Sequence, residues 1–219
     1  MKLREYSLTA LAQGRHEEAL NIVKKDGMAE AEDVVLTAQA ELAYNQGNLT
    51  ESALKYAKTK AGFEEVTLKF VDLEDKRALK LYLRKKLEAL DSRDATQITL
   101  LVIWLIEIYQ NELGRLREGG AVPDENKEQY QKVNDQFERD ILEDPKVREC
   151  ISHNKEVVYS LLGSHGDTQS LVTIASQLRD QERVVQYSLQ EGKHREVSHK
   201  IFINKYYQNN VFCVNIPIM

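Results

Sequence analysis

Apolar side chains recur at three- and four-residue intervals along almost the whole chain, and the strict alternation of a half-buried strand is nearly absent. That pattern restricts the fold to packed helices. Leu3, Tyr6, Ala10 and Leu11, then Ala19, Leu20 and Val23, mark two short helices broken at Gly14. A helix over 31–45 follows, then a turn at Gly47 and a helix over 51–58. The segment 75–90 sets Leu79, Leu83, Leu87 and Leu90 on one stripe, with Lys76, Lys80, Arg84 and Lys85 away from it. The helix over 95–116 is apolar on all sides through its first half, with Leu101, Trp104, Leu105 and Ile108 central. A helix of that kind lies in an interior, so Trp104 is expected to be a buried anchor. Breakers are scarce: 10 Gly and 3 Pro in 219 residues, about half the usual share.

The helix ends carry matching punctuation. Asn48-Leu49-Thr50-Glu51 and Asp94-Ala95-Thr96-Gln97 read as capping boxes, and Asp144-Pro145 sets a cap before a proline at the first helical position. His165-Gly166-Asp167 reads as a glycine stop followed at once by a new cap. The stretch 117–125, with Gly119-Gly120 and Pro123, is the one long loop. The turn at Gly14 recurs 33 residues later at Gly47, and Gly192 begins a third version of it. Short turns between helices favour antiparallel pairs, and repeated pairs build an α-solenoid. The expected fold is therefore all-α, an α-solenoid of antiparallel helix pairs. The interval from Gly47 to Gly192 is not a multiple of 33, which counts against a regular tetratricopeptide array.

Function classes fall away in turn. A net charge of −5, from 30 Lys+Arg against 35 Asp+Glu, offers no basic stripe for nucleic acid. Two cysteines, Cys150 and Cys213, supply neither a disulfide framework nor a four-thiolate zinc site. Residues Met1 to Tyr6 hold no apolar signal core, and the apolar run from Ile98 to Ile106 is too short to span a bilayer. His194 and His199 have the wrong spacing for a zinc helix, and no P-x-C-x-x-C follows the His194-Arg195-Glu196 triplet. Asn48-Leu49-Thr50 is a helix cap rather than a glycosylation site. His165 and Asp167 are cap and loop residues rather than a catalytic pair. The run Lys76, Lys80, Arg84, Lys85 and Lys86 reads as a solvated helix face rather than a lipid-binding one. No catalytic residue, cofactor-binding residue or metal ligand is expected.

Several stretches taken together resemble the deep orange family, that of vacuolar protein sorting-associated protein 18. They are Glu51-Ser52-Ala53-Leu54-Lys55-Tyr56-Ala57, Phe63 to Phe70, Leu83-Arg84-Lys85-Lys86-Leu87, and Thr96 to Leu101. Trp104-Leu105, Tyr109, Leu113-Gly114, Leu161-Leu162, Ser164-His165-Gly166-Asp167-Thr168 and Arg183-Val184-Val185 complete the series. The resemblance runs over about 41–197 and falls in that family's clathrin heavy-chain-like helical repeats. It implies a non-enzymatic scaffold segment of a class C tethering subunit, within the HOPS and CORVET complexes. The implied partners are the sibling subunits 11, 16 and 33, with SNAREs and Rab GTPases reached through the assembly. The implied location is cytoplasmic, peripheral on late endosome, lysosome or vacuole membranes. The family's β-propeller and RING are missing, so the chain reads as a partial solenoid: repeats over 1–201, then a divergent tail over 202–219 expected to be poorly ordered. A tetratricopeptide-like adaptor that binds peptide segments is the alternative.

Overall fold

The computed structural model describes residues 9–10, 13–25, 27, 29–117 and 121–190. Most of the helix expected from Leu3, the Gly192 turn and the 202–219 tail lie outside those residues. No strand occurs among the described residues, and the chain divides into two compact units, Met1–Ile108 and Tyr109–Met219.

The first unit holds α1 (His16–Lys25), α2 (Ala29–Asn45), α3 (Leu49–Tyr56), α4 (Phe63–Val71) and α5 (Arg77–Ala89). The division falls within α6 (Ala95–Arg115). Small residues decide how closely α2 and α3 approach: Ala40, Ala43, Ser52 and Ala53 are all buried, and the Ser52 hydroxyl donates to the Ala40 carbonyl at 2.8 Å. Four successive helices then each contribute one aromatic ring to a shared core. Phe70 of α4 is central, with Tyr44 of α2 edge-on at 5.7 Å, Tyr56 of α3 edge-on at 6.2 Å, and Tyr82 of α5 stacked at 6.2 Å. Such pairs add about 0.5–1.5 kcal/mol each beyond their area burial.

The second unit opens with the end of α6. A 3₁₀ turn (Asp124–Asn126), α7 (Lys127–Phe137), a π-helical turn (Glu138–Leu142), α8 (Pro145–His153), α9 (Lys155–Ser164), α10 (Thr168–Gln177) and α11 (Gln181–Gln190) follow. Tyr109 packs edge-on against Phe137 at 5.8 Å and donates its hydroxyl to Asp140 in the π-helical turn. Tyr159 of α9 meets Tyr187 of α11 at 5.9 Å. The α9–α10 and α10–α11 neighbours pack directly on one another.

One backbone device joins helices in both units. A residue in the left-handed region ends one helix, and the next residue's N–H reaches back to a carbonyl five positions earlier. The bonds are Arg15 to Ala10 at 2.8 Å, Asn48 to Ala43 at 2.9 Å, Asp167 to Leu162 at 3.1 Å and Asp180 to Ala175 at 2.9 Å. Gly14, Gly47 and Gly166 hold φ of +75°, +79° and +67°, as the glycine turns predict. At the fourth junction Arg179 adopts φ +56°, the one non-glycine with positive φ among the described residues.

Candidate functional site

The turn at 165–167 is the most specific of the sequence motifs, and its chemistry is structural. Asp167 Oδ1 accepts the Ser170 N–H at 3.2 Å and caps α10. Its Oδ2 accepts the side-chain amide of Gln110, reaching across from α6, at 2.5 Å. Asp167 and Gln110 are both buried. The carboxylate thus locks two helices and works as cap and cross-brace. Gln110 is the residue the sequence reading missed. Its signal was a lone amide on the stripe of Ile106, Tyr109 and Leu113, where a buried polar group needs a partner.

Of the other expected caps, those at Asn48 and Asp144 form. Asn48 accepts the Glu51 N–H at 3.3 Å and donates to the Glu51 carboxylate at 2.7 Å. Asp144 accepts the Val147 N–H at 3.0 Å ahead of Pro145. The helix over Phe63–Val71, whose residues carry part of the family resemblance, lies between α3 and α5.

The basic run is not a uniform solvated face, which corrects the reading from spacing. Lys80 is buried, and Lys86 donates to the Thr59 carbonyl at 2.8 Å, its pKa lowered by burial. Lys76 donates to the carbonyls of Val71 and Leu73, and Lys85 pairs with Glu88 at 2.7 Å. The reason is geometric: α5 packs against both α3 and α4, so its buried arc takes in Ala78, Lys80 and Tyr82 as well as the leucine stripe. Trp104 is also corrected. It is half-buried on the flank of α6, edge-on to Phe63 at 5.8 Å, while Leu101, Val102, Leu105 and Ile106 take the interior.

Ion pairs tie neighbouring helices. Lys69 pairs with Glu41 at 2.6 Å and holds that carboxyl below the usual carboxylate range. Burial pushes the Tyr82 hydroxyl well above its ordinary value and the Tyr159 hydroxyl up to about 12, and neither has a hydrogen-bond partner among the described residues. Among the described residues no group of three or more His, Cys, Asp or Glu side chains is arranged to hold a metal. No described helix is long and apolar enough to cross a membrane.

Helix pairs joined by stop-and-cap turns, with rings passed from one helix to the next, define the chain as a segment of α-solenoid. More specifically, it belongs to the family described as VPS18, alpha-solenoid domain, first half, whose model matches residues 8–180. The chain is 40% identical over 159 residues to the vacuolar protein sorting-associated protein 18 homolog of Danio rerio, covering 72% of this chain and 16% of that protein. It is 32% identical over 196 residues to the vacuolar membrane protein pep3 of Schizosaccharomyces pombe, covering 88% and 21%. It is 32% identical over 164 residues to vacuolar sorting protein 18 of Arabidopsis thaliana, covering 74% and 16%. The matches thus span 16% to 21% of the length of these relatives.

Proposed function

We propose that this chain is a non-enzymatic scaffold segment of a class C vacuolar protein sorting subunit, within the HOPS and CORVET tethering complexes. The family match over residues 8–180 carries the reading. The architecture supports it, since an α-solenoid presents helix faces along its length for protein contact. In this reading the chain contributes to endosome-to-lysosome or vacuole tethering by contacting sibling subunits 11, 16 and 33. SNAREs and Rab GTPases are engaged by the assembly, and the chain meets the cytoplasmic side of the membrane only through it.

The test is retention. Immobilised full chain, incubated with recombinant subunits 11, 16 and 33 in turn, is expected to hold at least one of them. Retention of none would refute the scaffold reading.

A further inference from the structure

The second unit contains a cavity of about 420 Å³ whose charges do not cancel. Glu138, which opens the π-helical turn, and Glu143, which follows it, share its wall with Asp167. The one cation in the lining, Arg117, is turned to Tyr130: it donates to the phenol, and its guanidinium carbon lies 5.3 Å from the ring centre. None of the ion pairs among the described residues involves Glu138, Glu143 or Asp167.

The unused hydrogen-bonding capacity has the same sign. An ionised carboxylate offers about four acceptor positions. Asp167 uses two, on Gln110 and the Ser170 backbone, Glu138 accepts one bond from Asn134 at 2.9 Å, and Glu143 accepts none among the described residues. Ser170 is only 6% exposed yet lines the cavity, and its hydroxyl makes no hydrogen bond among the described residues. A concave site lined by one sign of charge focuses its potential and gathers the opposite charge. The occupant that matches is cationic and rich in donors.

Two cationic classes are distinguished by size and geometry. A bare metal ion needs convergent ligands, and the acidic and imidazole side chains described here are not arranged that way. The volume instead falls within the range of organic-ligand pockets, roughly 300–1,000 Å³. We propose that this cavity receives a Lys or Arg side chain from a basic segment of a partner protein. The inference rests on the scaffold reading and adds the chemistry of one contact.

The test uses the full chain and a fluorescein-labelled Gly-Arg-Gly-Arg-Gly peptide, with the citrulline-substituted peptide as uncharged control, read by fluorescence anisotropy. The arginine peptide is expected to bind, and the citrulline peptide to bind at least about tenfold more weakly. Glu138→Gln with Glu143→Gln is expected to weaken the arginine peptide by about tenfold, two exposed charge contacts in the cavity wall being removed. Glu125→Gln with Glu182→Gln removes the same charge from exposed positions outside the cavity and is expected to leave binding within about twofold. Equal weakening by both double variants, equal binding of both peptides, or no binding of the arginine peptide would each overturn the proposal. Retention of sibling subunits in the preceding assay is independent of these results, so either reading can fail alone.

Discussion

Arg179 sits where three other junctions place glycine, and replacing it isolates the energy of a single backbone conformation. At φ +56° an L side chain pays a steric penalty of about 1–2 kcal/mol that glycine avoids. Glycine adds back about 0.5–1 kcal/mol by loosening the unfolded chain. The Arg179 side chain is exposed and makes no described contact, so nothing else is lost. Arg179→Gly is therefore expected to stabilise the chain by about 0.5–1 kcal/mol. Followed by far-UV circular dichroism in urea, with a slope of about 2–3 kcal/mol per molar, the midpoint should rise by about 0.2–0.5 M. Arg179→Ala keeps the strain and removes only solvated atoms, so its midpoint should stay near the parent's. The converse probe is Gly166→Ala, at φ +67°, where an added Cβ meets nothing within 4 Å. Its expected loss of about 0.5–1 kcal/mol is backbone strain less the unfolded-chain entropy that alanine removes. If Arg179→Gly and Arg179→Ala move the midpoint together, or glycine lowers it, the strain argument is wrong.

Asp167→Ala removes the α10 cap and the acceptor for buried Gln110, and should cost about 2–3 kcal/mol in urea unfolding; a loss below about 1 kcal/mol would show that the brace is idle. Tyr82→Phe deletes a fully buried hydroxyl with no partner among the described residues and should leave stability unchanged or raise it by up to about 1 kcal/mol. A drop of that size would reveal an unseen hydrogen bond. Glu41 has a folded-state pKa depressed by Lys69, so its contribution is present above the unfolded value of about 4.3 and fades as pH falls through the folded value. The midpoint gap between the parent and Glu41→Gln should narrow from pH 7 to pH 3; a constant gap would remove Glu41 from the acid response.

The local grammar of the chain is legible in the sequence, because it depends on residues a few positions apart. Helix stops at Gly14, Gly47 and Gly166, and caps at Asn48, Asp144 and Asp167, follow from backbone geometry and side-chain reach within one turn. The all-α character and the family resemblance follow from the same short-range patterns, repeated in order. Tertiary structure decided what spacing alone leaves open. Lys80 is buried because α5 has neighbours on two sides, and Trp104 is half-buried because the interior arc of α6 passes through Leu101, Leu105 and Ile106. Gln110 and Asp167 are 57 positions apart, and only packing brings an amide to that carboxylate. Arg179 is left-handed although its side chain disfavours it. The junction into α11 requires that backbone, and Asp180 supplies the cap, accepting the Arg183 N–H at 3.3 Å. Periodicity marks which residues prefer an interior, whereas the number and direction of neighbouring helices set how wide that interior is.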